Sequence, residues 1–176
     1  ALLIAMARDR GIAVVVAGSD ATDDPGFFLR AGASAVARGE AEFSVAEWLE
    51  DPGRPVRGIV TLGEGGVVLG EPRSPVADVD SIPSPAWDLI DIEAYRRIWT
   101  RRHGRFSLPL ATSRGCPFHC NWCAKPIWGQ RYHAMSPARA AREVVSLKRL
   151  GATHVNVLDD ILGLKPGWLE EFGAEL

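Results

Sequence analysis

Cysteine is scarce in this sequence, charge of either sign is not in excess, and long apolar runs are missing. The longest apolar stretch near the start, Ala1 to Ala7, stops at Arg8-Asp9-Arg10, well short of the roughly 20 residues a membrane-spanning helix needs. No basic stretch precedes it and no small-residue cleavage site follows it, so it does not read as a signal peptide. The expectation is a cytoplasmic protein with no membrane span. The 20 Lys and Arg nearly balance the 22 Asp and Glu, for a net charge of −2. That balance argues against a protein whose main partner is a polyanion, and no nucleic-acid partner is expected. Three cysteines are too few for a disulfide scaffold, and the number is odd. What remains is a chain of 176 residues, 47% hydrophobic and 24% charged, the composition of an ordinary globular protein of one domain or parts of two. It opens without a methionine, in what reads as the middle of a helix, and is expected to be a piece of a longer protein.

The first half reads as alternating strands and helices. Residues 1–10 end a helix at Gly11, and Ile12 to Ala17 form a β-branched run typical of a strand buried on both faces. A turn is expected at Gly18-Ser19-Asp20, a short helix at Pro25 to Ala31, a second strand at Ala33 to Ala37, and an amphipathic helix from Glu40 to Asp51 with Phe43, Ala46 and Leu49 on one side. This alternation implies a doubly wound α/β sheet. Arg57 to Leu69 carries a hairpin signal around Gly63-Glu64-Gly65-Gly66. Residues 71–86 hold Pro72, Pro75, Pro83 and Pro85 and read as a semi-rigid linker at a domain boundary. A helix from Trp87 to Trp99 follows. The organisation expected is therefore 1–70, 71–105 and 106–176.

A second α/β rhythm begins at Phe106, with a strand to Thr112, a loop over 113–135, and a helix capped by Ser136 with Pro137 in its first position. In that helix Ala140, Val144 and Leu147 share a face, Arg139, Arg142 and Arg149 are available for solvent, and Gly151 closes it. A strand Thr153–Leu158, then Asp159-Asp160, then a helix from about Pro166 complete the chain. This is the opening of a parallel barrel or sheet.

All three cysteines lie in the loop Arg114-Gly115-Cys116-Pro117-Phe118-His119-Cys120-Asn121-Trp122-Cys123, spaced C-x3-C-x2-C. Three thiolates this close can converge on one metal centre. A [4Fe–4S] cluster normally takes four cysteines, so three would leave one iron open to another ligand. A structural zinc completed by His119 or His133 is the alternative, although such sites usually gather their ligands in two separated pairs. Buried thiols, or a disulfide with one thiol to spare, fit the loop composition and the odd count less well.

These residues resemble the signature loop of the radical S-adenosylmethionine (SAM) superfamily, with Trp122 as the aromatic residue before the last cysteine. Thr112-Ser113 and Pro117 around the loop, Trp128-Gly129-Gln130-Arg131-Tyr132 and Ser136-Pro137 beyond it, and Ile82-Pro83-Ser84-Pro85-Ala86-Trp87-Asp88 before it resemble the subgroup with a cobalamin-binding domain in front of the barrel. On this resemblance residues 12–51 are the later part of a Rossmann-like cobalamin domain, 75–99 its linker, and 106–176 the start of the radical SAM (β/α) partial barrel.

The resemblance implies that Cys116, Cys120 and Cys123 hold a [4Fe–4S] cluster whose fourth iron is chelated by SAM. One-electron reduction would then yield a 5′-deoxyadenosyl radical that takes a hydrogen from a small-molecule substrate, with the electron coming from an external donor such as flavodoxin or ferredoxin. Trp122 would pack near the adenine of SAM, or simply anchor the loop. Arg114 and Lys125 would balance the anionic cluster, or be solvated loop charges. Asp159 would meet the SAM amino group, although the Gly-Gly-Glu pattern of many members is absent and a turn or helix cap is the alternative. His154 and Asn156 would face the barrel interior, or be ordinary strand residues. The loops Gly18-Ser19 and Gly39-Glu40, beyond the carboxyl ends of two strands, would meet cobalamin; no D-x-H-x-x-G motif for a lower-axial histidine is visible. Methylation or rearrangement at an unactivated carbon is the implied outcome. The alternatives are a radical SAM enzyme without cobalamin, akin to a methylthiotransferase, and a zinc-stabilised binding module.

Overall fold

The computed structural model describes residues 2–123 and 130–176. They fall into two compact units. One holds the chain as far as Val76 together with the piece of the cysteine loop that begins at His119; the other holds Ala77–Phe118 and Gln130–Leu176.

The first unit is a four-stranded sheet covered on both faces. Helix α1 (Leu2–Arg8) leads through Gly11 to β1 (Val15–Ala17), α2 (Ser19–Asp23), α3 (Pro25–Arg30), β2 (Ala35–Ala37), α4 (Glu42–Glu50) and the hairpin β3 (Ile59–Gly63) and β4 (Gly66–Leu69). The strand order is β1-β2-β3-β4, with β1 and β2 parallel and the hairpin added antiparallel at the edge. Side chains alternate across this sheet with period two. Ala35, Ala37 and Ile59, with Val15, pack against Trp48 and Val45 of α4. Val36, Val60 and Val16 pack against Ala21 of α2 and Leu29 and Phe28 of α3. The expected doubly wound arrangement is what forms.

Two local expectations are corrected here. The turn at 18–20 is the start of α2, with Gly18 as its N-cap at φ +121°, a conformation that L side chains rarely adopt. The buried side of α4 is Ser44 and Trp48, while Leu49 stays 63% exposed. Ser44 is fully buried because its hydroxyl donates to the Arg57 carbonyl at 2.8 Å and accepts from Arg73 Nε at 2.9 Å. A polar residue with both roles met can sit where the hydrophobic pattern predicts an apolar one.

The second unit begins with a short 3-10 turn (Val79–Ser81) and another at Trp87–Leu89. Then come α5 (Ile92–His103), β5 (Ser107–Leu110), β6 (Ser113–Arg114), β7 (His133–Ala134), α6 (Pro137–Arg149), β8 (His154–Val157) and α7 (Trp168–Glu175). Strands β5 and β8 pair in parallel, Ser107 opposite His154 and Leu110 opposite Val157. Phe106, just before β5, and Leu108 and Leu110 on it alternate with less buried positions and close a core with Leu147 of α6, joined by Val144, Trp87 and Val155.

Helix α6 starts where its capping residues say it should. Ser136 accepts from the Arg139 N–H at 3.2 Å, Pro137 follows, and the Ser136 N–H donates to Asp80 at 2.9 Å. Replacing Ser136 with Ala is expected to cost about 1 kcal/mol, seen as a thermal midpoint lower by several degrees. Arg139, expected in solvent, is instead held inside. It pairs with the buried Glu143 at 2.8 Å and donates to Ser84 Oγ at 2.8 Å and to the Ile82 carbonyl at 3.3 Å. Ser84 in turn donates to Glu143 at 2.5 Å, so residues 80–84 are bound to the first turns of α6.

Candidate functional site

The cysteine loop leaves the carboxyl end of β5, where ligands bind in parallel α/β sheets. Its two ends are held by the fold. The leading end, Ser113–Arg114, pairs antiparallel with His133–Ala134, and the Met135 N–H donates to the Thr112 carbonyl at 2.8 Å. Trp168 of α7, itself buried, donates from Nε1 to the Met135 carbonyl at 2.7 Å. Gly115 is buried at φ +79° directly before Cys116, so the chain turns into the loop through a conformation that favours glycine.

Cys116 is half-buried, Cys120 and Cys123 are exposed, and none forms a disulfide. The Cys123 N–H donates to the Cys120 carbonyl at 3.2 Å, a turn that fits the x2 spacing. Trp122 is 87% exposed. Among the described residues no group of three or more His, Cys, Asp or Glu is arranged to hold a metal ion. The fit to a cluster therefore rests on donor chemistry: three solvent-reachable thiols, soft donors suited to iron–sulfur centres or zinc. Of the two basic residues considered for charge balance, Arg114 is half-buried on β6, and Lys125 lies outside the described residues, as do Trp128 and Gly129.

Asp159, just past β8, receives three hydrogen bonds. Its Oδ1 accepts from the Thr112 N–H at 2.6 Å and the Ser113 N–H at 3.1 Å, and its Oδ2 accepts from the Thr112 hydroxyl. Its neighbour Asp160 is exposed. His154 and Asn156 are exposed on the face of β8 opposite Val155, and His154 Nδ1 lies 2.9 Å from Ser107 Oγ. They point away from the Phe106 core.

In the first unit, Gly18 and Gly39 follow the carboxyl ends of the adjacent parallel strands β1 and β2. A Cβ built on Gly18 would meet nothing within 4 Å, so the backbone there is open to a planar ligand. Ser19 is exposed at the start of α2. The Gly39 N–H donates to Thr22 Oγ1 at 3.0 Å, tying the loop after β2 to helix α2. Glu40 is buried, its carboxylate accepting from the Val76 N–H at 2.5 Å. A small cleft of about 180 Å³ beside Gly39 is lined by Thr22, Arg38, Gly58 and Arg73 among others. Thr22, Arg38 and Arg73 carried no signal in the sequence beyond Arg38 preceding Gly39 directly.

No protein-family model matches the chain. It is 32% identical to an uncharacterized methyltransferase of Pyrococcus horikoshii over 92% of its own length, and spans 36% of that relative. Among solved structures, the radical SAM methyltransferase TsrM of Kitasatospora setae, with tryptophan substrate and a SAM analogue bound, matches 98% of this chain and 34% of its own at a TM-score of 0.75 and 20% identity. The cobalamin-dependent SAM radical enzyme OxsB, with aqua-cobalamin and SAM bound, matches 98% of this chain and 26% of its own at a TM-score of 0.74 and 19% identity. The chain thus spans about a third or less of these relatives' length. It resembles a methyltransferase in sequence and has the fold of the cobalamin-dependent radical SAM enzymes over nearly its whole length.

Proposed function

We propose that this chain is part of a cobalamin-dependent radical SAM enzyme that transfers a methyl group to carbon in a small-molecule substrate. The observation that carries the reading is the C-x3-C-x2-C spacing on a loop at the carboxyl end of the parallel strand β5. The methyltransferase name of the Pyrococcus relative supports the outcome. Cys116, Cys120 and Cys123 would hold a [4Fe–4S] cluster, and the loops at Gly18-Ser19 and Gly39 would hold cobalamin. When bound, these groups supply one-electron cleavage of a SAM carbon–sulfur bond and a carrier for the methyl group.

The chain's own residues hold and orient. The three thiols ligate as thiolates, and the paired strands β6 and β7 fix where the loop starts and returns. Trp122 offers an exposed aromatic face to the adenine of SAM. Gly18 leaves the backbone open to a bulky ring. An external one-electron donor of the flavodoxin or ferredoxin type is required, because none of the 20 side-chain types here supplies a low-potential electron.

Anaerobic reconstitution with iron and sulfide tests the reading. About four of each per chain are expected, together with SAM cleavage under reduction and corrinoid absorbance after incubation with hydroxocobalamin. Zinc in place of iron, with no charge-transfer absorbance, would sink it. Burial of Glu40 against Val76 favours a second reading, a radical SAM enzyme without cobalamin. Iron binding and SAM cleavage with no corrinoid retained would establish that one.

A further inference from the structure

We propose that Asp159 is a positioning residue for the cysteine loop, acting through Thr112 and Ser113, and that its carboxylate does not contact SAM. The inference rests on the function proposed above. Strands β5 and β8 are parallel neighbours, so their carboxyl ends lie side by side. Their ladder ends at Leu110 opposite Val157, with one further bond from the Leu158 N–H to the Leu110 carbonyl. Beyond that point Thr112 and Ser113 lie past the end of the β5–β8 ladder, yet both residues are buried, at 2% and 4% exposure.

The Asp159 carboxylate takes over. It accepts both N–H groups and the Thr112 hydroxyl. Hydrogen bonds to an ionised acceptor are about twice as strong as neutral ones, and a buried N–H left unsatisfied is costly. The Ser113 hydroxyl adds a bond to the Ile161 carbonyl at 3.3 Å, so the turn after β8 grips the strand from two sides. Three residues past Ser113 comes Cys116, through the positive-φ Gly115. The orientation of the first ligand is therefore set by a carboxylate that it does not touch. Three donors, two of them backbone N–H groups, already converge on Asp159. A SAM amine would have to compete with them.

Three variants of the whole chain separate positioning from contact. In the apoprotein, Asp159→Ala is expected to speed amide hydrogen exchange across 112–116 about tenfold or more, by freeing the two N–H groups, while exchange in α3 and α4 stays as in wild type. Thr112→Val should give a smaller acceleration in the same segment. After reconstitution, Asp159→Ala should release iron to a chelator about 10- to 100-fold faster, the size of effect seen when a residue supporting a metal ligand is removed.

Asp159→Asn decides the matter. Its amide oxygen can accept the same two N–H groups and its NH₂ can donate to the Thr112 oxygen, so exchange, iron retention and SAM affinity are all expected near wild type. A direct ionic contact predicts the opposite: Asp159→Asn would weaken SAM binding as much as Asp159→Ala, with iron retention unchanged. That result would overturn the proposal, as would unchanged exchange at 112–116 in Asp159→Ala. Failure of the functional reading shows separately, as absence of iron–sulfur uptake by wild type, and leaves the exchange comparison intact.

Discussion

Arg139→Met is expected to destabilise the second unit by about 3 to 5 kcal/mol, because it strands a buried carboxylate. Glu143 is only 8% exposed at its side chain and Arg139 18%. The guanidinium reaches the carboxylate through both Nε and a terminal nitrogen. Removing it leaves Glu143 with one neutral donor, Ser84 Oγ. It also removes the bonds to Ser84 and the Ile82 carbonyl that hold residues 82–84 to α6. The thermal midpoint should fall by more than about 10 °C. The double variant Arg139→Met, Glu143→Leu should recover most of that loss, since two apolar side chains of similar volume replace a buried ion pair at little net cost. A double-mutant cycle read by thermal unfolding checks both statements. Additive losses would mean that the pair is not coupled and that solvent reaches Glu143.

The same pair shows where sequence reading stops. Helix α6 was legible down to its cap, because Ser136, Pro137 and Gly151 act locally through backbone geometry. Its apolar face was legible because Ala140 and Leu147 recur with helical spacing and are buried. Arg139 was misplaced because the residues that make its burial possible, Ser84 and Ile82, are 55 and 57 positions away. The buried side of α4 was misread for the same reason: the acceptor of its buried Ser44 is the carbonyl of Arg57 and its donor is Arg73, 29 positions on. A hydrophobic pattern records which side chains avoid water. It does not record which polar side chains have been given partners by a distant part of the chain.

The candidate site divides along the same line. The cysteine spacing, the glycine turn at Gly115 and the placement of the loop after a parallel strand are local, and the sequence carries them. Gly18 and Gly39 were singled out for a similar reason, as glycines in loops beyond the carboxyl ends of strands, and both take a positive φ. Glu40 and Asp159 carry the same charge and flank similar loops, and the sequence could not tell whether either faces a ligand. The structure gives Glu40 to Val76 and Asp159 to Thr112 and Ser113. An acidic residue beyond a strand is as able to cap the fold as to greet a substrate, and only the positions of the buried N–H groups decide between the two.

Cys120→Ala is expected to reduce bound iron from about four per chain to a small fraction of that, and to bring SAM cleavage below detection. The loss should come without a change in folding. Cys120 is exposed, and the bond it accepts from the Cys123 N–H goes to its backbone carbonyl and not to its thiol. Substitutions at exposed positions of this kind usually move stability by no more than about 0.5 kcal/mol, so the thermal midpoint of the apoprotein should stay at the wild-type value. Cys120→His carries the argument further. Zinc sites exchange thiolate for imidazole readily, as the Cys₃His and Cys₂His₂ sets show, so a zinc-stabilised module would keep its metal in that variant. A cluster with three protein thiolates and one iron reserved for SAM has no ligand to spare, and Cys120→His should lose it as Cys120→Ala does. Iron and zinc content of the two variants, measured beside wild type after the same anaerobic reconstitution, distinguishes a catalytic cluster from a structural metal on the identity of a single side chain.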